Sequence, residues 1–560
     1  MMLCRWLLAA LLCLAVAPAS ALLLTRASGG GSTYHAATIH NYVSSLTSTQ
    51  IHQFDINGNS IDVSDARILQ VGTTAYLYGD ANGCGQSIQN NGVYCGVNIY
   101  QVWADANGNP QFQFLGQPFD PTGSPVAANC SPTATSPIVF PGCYNTVILF
   151  NAANNNYVIW INGAQGTNQS YMVWTCASVA QMTSNGCAAA TAPAHLGHGG
   201  SANANGDYSL AIDGSGNAWI AYSNNNSGRH IFAQELNSSF TDATGSDFDT
   251  GVTGEGVGLF VVGSTYYITY GPLAEYFIAA TDYISSTSPL SAWSGITALN
   301  SNSCSGQNGG GTPTAIPGTQ VLYLPDRWAQ ALSGTTPGLG NQALNNIYWA
   351  VFAFTGSALN AITCAPSNSI TLPAGPVPTP YWAGAQTGSE GLSGVAYWEQ
   401  GSTQSADLGE GDLSPPYQRA QSFTAPTNLS SINFVLTTGQ ANRLCKVNTG
   451  CTGPTAGLTA TLFAVDGSHH PTGSALATQT LASAAFSWAP QRVTFTFSSL
   501  SLIAGTEYAV AFSSPTNTAG GYTFAYNDTG AYSGGVESFS SNGGSTWTTE
   551  AGRVMKFSVQ

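Results

Sequence analysis

Charge is what this chain of 560 residues has least of: 7% of its residues are charged, and lysine and arginine together number 11. With 26 Asp and Glu the net charge is −15, so a phosphate backbone is repelled rather than neutralised and nucleic acid is excluded as a partner. Past the N-terminus no apolar run approaches membrane length, which leaves no transmembrane helix and no membrane partner. Phosphate-binding loops, nucleophile elbows and dinucleotide fingerprints are missing, so no nucleotide or redox cofactor is expected. There is no CxxC pair and no Cys/His cluster, so no zinc site is expected, and a structural calcium is the one metal the sequence leaves open.

What the chain does have is glycine (64 residues), aromatics (11%) and a Ser/Thr/Asn-rich remainder, a composition suited to many short strands joined by tight turns. Residues 1–21 read as a secretory signal peptide: a short n-region ending at Arg5, an apolar stretch, and Ala19-Ser20-Ala21 before the cut. Of the 12 cysteines, Cys4 and Cys13 leave with that peptide, and the even remainder suits an oxidising compartment. Neighbour pairing gives Cys84 with Cys95, Cys130 with Cys143, Cys176 with Cys187 and Cys445 with Cys451, leaving Cys304 for Cys364.

Five segments, 72–79, 151–160, 214–222, 263–271 and 317–324, share a Gly or Asn turn followed by an aromatic-rich run. Their spacing is uneven, which a β-propeller tolerates because each blade is a separate small sheet and insertions fall in loops. A single large β-sandwich is the competing arrangement. After the propeller segment (22–371) comes LPAGPVPTP (372–380), an extended proline-rich linker. Residues 381–560 then alternate with the two-residue period of half-buried strands. The expected fold is all-β: a five-bladed β-propeller followed by a jelly-roll-like β-sandwich, with carbohydrate binding or a spacer role for the latter.

Three acids recur ahead of matching strands: Asp65 in DARILQVGTTAYLYG, Asp207 in DYSLAIDGSGNAWIAYS and Glu255 in EGVGLFVVGSTYYITYG. They precede Tyr76, Trp219 and Tyr267 by 11, 12 and 12 residues, which reads as one structural slot in three blades. In so uncharged a chain, acids placed this way point to a converging site. Hydrolysis of a glycosidic bond by inversion needs such a set: one acid to protonate the leaving oxygen and one carboxylate to activate water across the ring. A third acid nearby raises the proton affinity of the donor.

Over roughly residues 50–370 these motifs resemble glycoside hydrolase family 43, five-bladed propellers that invert at arabinan, xylan and galactan side chains. The resemblance implies Asp65 as general base, Asp207 as the modulating acid and Glu255 as general acid. NTVILFNAANNNYVIWING, SCSGQ and YLPDRW resemble the branch with exo-acting 1,3-β-galactosidases, which implies sugar contacts from Gln307, Asp326, Arg327 and Trp328. Tyr144 stands where that branch has an acid, Asn145-Thr146 where it has Arg-Pro, and Val257 where the family often has Pro. Asp65 is retained where that branch tends to lack it.

Simpler roles compete. Asp65 and Asp207 can accept hydrogen bonds in turns, and Arg327 beside Asp326 can be a plain ion pair. Trp219 is read as core, and His195 and His198 in AHLGHGG as solvent-exposed histidines. The sequons at Asn168, Asn225, Asn237, Asn428 and Asn527 matter only in a host that glycosylates them. The reading is a secreted, monomeric, inverting glycosidase acting on polysaccharide or oligosaccharide; the alternative is a non-catalytic carbohydrate-binding propeller.

Overall fold

The computed structural model describes residues 33–42, 51–84, 95–118, 142–165, 168–184, 186–189, 193–198, 205–272, 280–308, 311–314, 320–327, 343, 347–378, 386–388, 395–396, 417–441, 453–514, 521–527 and 532–560. The expected signal peptide, Trp328 and the pairings Cys130 to Cys143 and Cys445 to Cys451 lie wholly or partly outside the described residues. The other three pairings, Cys84 to Cys95, Cys176 to Cys187 and Cys304 to Cys364, are formed.

Four consecutive antiparallel sheets are built alike. Blade one is Ser64–Val71, Thr74–Asp80, Val97–Ala104 and Pro110–Gly116. Blade two is Gly142–Asn151, Asn156–Gln165, Asn168–Cys176 and Ala188–Ala189. Blade three is Asn205–Ile212, Ala218–Asn224, His230–Leu236 and Ala243–Thr253. Blade four is Glu255–Val262, Thr265–Gly271, Thr281–Ser286 and Thr297–Asn300. A fifth sheet, Gly311–Thr314, Gln320–Tyr323 and Ala350–Val351, completes the circle. Each of the five aromatic segments expected from the sequence overlaps the second strand of a different blade.

The core is divided accordingly into five layers, one between each pair of neighbouring blades. Leu69, Tyr78 and Ile99 of blade one meet Ile148, Ile159 and Trp174 of blade two, and equivalent layers follow around the ring. The last layer closes it: Tyr34–His40 pairs antiparallel with Ser367–Pro373, and Ile39 and Ile370 pack with Leu77 of blade one and Leu322 of blade five. Burying one Leu, Ile or Phe stabilises by about 1.5–3 kcal/mol, so the alternation along each strand suffices to hold blade against blade. The fully buried Trp160 donates its indole N–H to Phe240 O across the layer between blades two and three at 2.7 Å. This arrangement removes the single large sandwich as an alternative.

Chain reversals far from the site rely on a repeated aspartate turn. Asp213 Oδ1 accepts from the backbone N–H of Ser215 and Asn217 at 2.8 and 3.0 Å, and Asp105 does the same for Asn107 and Asn109.

The C-terminal sandwich faces a six-stranded sheet that includes Leu458–Val465, Glu507–Ser513 and Gln418–Thr424 against one built on Leu429–Ala441, Gln491–Leu502 and Phe557–Val559. Phe423, Phe434, Phe495, Phe512 and Phe557 fill the space between them. It abuts blade one: Ser487 Oγ and Trp488 N both donate to Gly83 O, and Thr437 Oγ1 donates to Gly58 O.

Candidate active site

Every one of the first four blades opens with a β-bulge on its innermost strand. Pairing skips between Ser64 and Arg67, Tyr144 and Val147, Asn205 and Tyr208, and Glu255 and Gly258. Two residues therefore face one on the partner strand, and the strand turns sharply at the same end of each blade. The first bulge residue is left-handed in three blades: Asp65 (φ 50°), Asn145 (φ 53°) and Gly256 (φ 59°). Gly256 has a second reason to be glycine, since a Cβ there would lie 2.4 Å from Asn308 O.

This geometry corrects the single-slot expectation. Asp65 is the first bulge residue of blade one, Asp207 the second of blade three, and Glu255 the paired residue just before the bulge of blade four. Their near-equal sequence spacing conceals three different positions, because the irregular residues displace the side chains without changing the count to the aromatic strand.

The bulges are tied together by carboxylates. The backbone N–H of Asp65 donates to Asp326 Oδ2 at 2.9 Å, that of Asn145 to Asp80 Oδ2 at 2.8 Å, and that of Gly256 to Asp207 Oδ2 at 2.7 Å. In each case an acid from one blade or its flanking loop fixes the bulge of the next. Thr146 Oγ1 adds a second bond to Asp80 at 2.8 Å. At the centre lies Arg67, 5% exposed, donating to Asn145 Oδ1 at 2.8 Å, Ser209 Oγ at 3.2 Å and Tyr208 O at 3.4 Å. One buried cation thus spans three blades and lowers the proton affinity of Asp65, Asp80 and Asp207.

Two acids are used differently. Among the described residues nothing hydrogen-bonds the Asp65 carboxylate, while Glu255 Oε1 pairs with Arg229 Nη1. Burial pushes Asp65 well above the usual carboxylate range, and Asp326, Asp80 and Asp207 push it further. Burial, helped by Asp207, raises Glu255 to about 7, with Arg229 opposing. Burial raises Asp207 too, against the Gly256 N–H and both arginines. Asp207 therefore acts on Asp65 on one side and Glu255 on the other.

The remaining expected residues separate into two groups. Tyr144 is half-buried at the position before the bulge of blade two, the same position that Glu255 holds in blade four. Its phenol is pushed up by burial and, to a lesser degree, by the charges of Asp80 and Asp65. Gln307 is half-buried against Gly256 and exchanges backbone hydrogen bonds with Asp326. Asp326 and Arg327, by contrast, are only 2% and 0% exposed. Asp326 serves the Asp65 bulge, and Arg327 faces Tyr348 and Tyr42, with burial lowering it to about 10. Neither presents a face to a sugar, which corrects the expectation of direct contact for both.

Trp219 is core, its indole N–H donating to Asp213 Oδ2 at 3.0 Å. His195 and His198 each pair with a separate aspartate, Asp242 at 2.7 Å and Asp247 at 2.6 Å. Among the described residues no group of three or more His, Cys, Asp or Glu is arranged to hold a metal ion.

Sequence reading missed Arg67, Asp80 and Arg229. The usable signal was scarcity: in a chain with 11 basic residues, an arginine two positions after a candidate acid is informative. Asp80 was hidden at the end of YLYGD, where it pairs with Ser64 across the strand.

The raised acids carry a stability consequence. Asp62, Asp80 and Glu255, at about 6, 7 and 7, hold protons in the folded chain more tightly than in the unfolded one. Their contribution is fully present below the unfolded values near 4 and is lost as pH rises through 6 to 7. The oppositely shifted Asp213, Asp242 and Asp466 are mostly solvated and weigh less. Calorimetry across this range is expected to give a falling Tm from mildly acidic to neutral pH; a Tm that climbs steadily to pH 8 would contradict it.

Fold and site together define a five-bladed β-propeller with a carboxylate cluster at the bulged end of its inner strands. No family model and no curated protein matches the chain. Among solved structures it is similar to an exo-β-1,3-galactanase from Clostridium thermocellum, at 17% identity over 68% of this chain and 73% of that one, with a TM-score of 0.46. It is also similar to an exo-β-1,3-galactanase variant from Phanerochaete chrysosporium bound to β-1,3-galactotriose, at 15% identity over 87% and 99%, with a TM-score of 0.43. A third is the native arabinanase of Bacillus subtilis, at 15% identity over 54% and 97%, with a TM-score of 0.35.

Proposed function

We propose that this chain is a secreted glycoside hydrolase that cleaves neutral polysaccharide by inversion, with Asp65 as general base, Glu255 as general acid and Asp207 between them. The observation that carries this reading is the asymmetry of the two outer acids. Glu255 holds its proton to about pH 7 and is steered by Arg229, as a donor to the leaving oxygen requires. The Asp65 carboxylate is committed to no described neighbour and so is open to water, and Arg67 is the cation that favours its ionised, basic form against the burial and the acids that raise it. Inversion needs the two carboxyls about 6.5–9.5 Å apart to admit that water, and Asp207, whose charge raises both, is the group that couples them. Tyr144 and Gln307 are the proposed sugar contacts, with Asp326 and Arg327 as scaffold.

Galactan heads the substrates to try, followed by arabinogalactan, arabinan and xylan. The test is to incubate the purified chain with each polymer and follow products by chromatography and the anomeric proton by NMR. Release of sugar with inverted configuration supports the reading; retention of configuration excludes the assigned roles. Binding without release from any polymer moves the chain to the non-catalytic alternative.

Arg229 offers a sharper check. It stabilises the ionised form of Glu255, so Arg229→Gln raises the proton affinity of Glu255 further. The alkaline limb of the pH–rate profile is then expected to move to higher pH, and an unmoved limb would remove Glu255 as the titrating donor.

A further inference from the structure

We infer that a groove on the opposite end of the propeller is a second glycan-binding site, one that holds a neutral polysaccharide chain away from the carboxylates. This rests on the reading of the chain as acting on polysaccharide. The inner strands of blades two and three run from their bulges to Asn151 and Ile212, so their far ends lie roughly 15–20 Å from the acids at the strand rise. There a cavity of about 470 Å³ opens between the two blades, and a second of about 490 Å³ adjoins it, sharing Asn237 and Thr244. Neighbouring cavities that share a wall at Asn237 and Thr244 offer room for more than one sugar unit, as a polymer site requires.

Its chemistry selects the ligand. Phe150, Ile212 and Leu236 supply an apolar floor on which the C–H face of a pyranose can lie. Over it stand the Glu235 carboxylate and the Ser215 and Ser238 hydroxyls, none of which hydrogen-bonds a described residue through its side chain. No lysine or arginine lines either cavity, and the one histidine, His195, is already paired with Asp242 at 2.7 Å. Phosphate, sulfate and uronate ligands therefore find no cation to neutralise them. A neutral chain rich in hydroxyls satisfies both floor and rim.

Ser215 and Ala153 are exposed turn residues, and Ser215 serves its turn only through the backbone N–H. Ser215→Trp and Ala153→Trp therefore fill the groove without disturbing the core. Wild type, both filling variants and Glu255→Gln are to be run in native gels containing galactan, arabinogalactan, arabinan or xylan. The expected result is retardation of wild type and Glu255→Gln by one polymer, with at least a ten-fold weaker affinity in both filling variants and unchanged release from a trisaccharide. Filling variants retarded like wild type overturn the site while leaving hydrolysis untouched, and so does a wild type that no polymer retards. Retardation lost on filling, in a protein that releases no sugar, sustains the groove and sinks the hydrolase reading alone.

Discussion

Glu255→Gln is expected to lower sugar release from polysaccharide by about 10²–10⁴-fold, the usual worth of a general acid, with little change in stability. Glutamine keeps the size of the side chain and an oxygen for Arg229, but has no proton to give. The remaining carboxylates stay anchored, since Asp207 bonds to the Gly256 backbone N–H and not to the Glu255 side chain. The loss should depend on the leaving group. A polysaccharide hydroxyl is a poor leaving group and needs protonation, whereas an activated aryl glycoside departs as a stabilised phenolate. Glu255→Gln should therefore retain much more activity on an aryl glycoside than on polymer, while Asp65→Asn should lose activity on both, because water activation is needed either way. Equal losses in Glu255→Gln on the two substrates would show that Glu255 is not the donor.

How much of this could be read from the chain follows from what sequence encodes locally. The five aromatic second strands were legible because each is a contiguous run behind a turn, with its pattern set by burial in an interblade layer. The three acids were legible as a set for the same reason: each precedes such a run. Their distinct roles were not, since the register slips at Ser64/Arg67, Asn205/Tyr208 and Glu255/Gly258 are a property of strand pairing, and pairing partners lie elsewhere in the chain. Asp326 illustrates the limit most clearly. Beside Arg327 and Trp328 it reads as a sugar contact or half of a plain ion pair, yet its carboxylate reaches the backbone N–H of Asp65, 261 residues away in sequence. Contacts of that kind depend on ring closure, which places blade five against blade one.

Arg67 is the residue whose loss should most damage the fold of the site. It is nearly fully buried, bonds to Asn145, Ser209 and Tyr208, and is the cation that holds down the proton affinity of Asp65, Asp80 and Asp207. Methionine is close to it in length and apolar, so Arg67→Met removes the charge and the three bonds while filling much of the space. Breaking a buried ionic network by deleting one partner costs about 3–5 kcal/mol, and urea unfolding at pH 8 should register a loss of that order. At pH 5 the loss should be smaller, because Asp80, raised to about 7 already in the wild type, then carries a proton and needs less compensation. An exposed ion pair would show the same direction at a fraction of the size, because solvent screens it. A loss independent of pH would mean that Arg67 acts through packing and hydrogen bonds alone, and the carboxylate ring would then have to be held by its backbone bonds to the bulges.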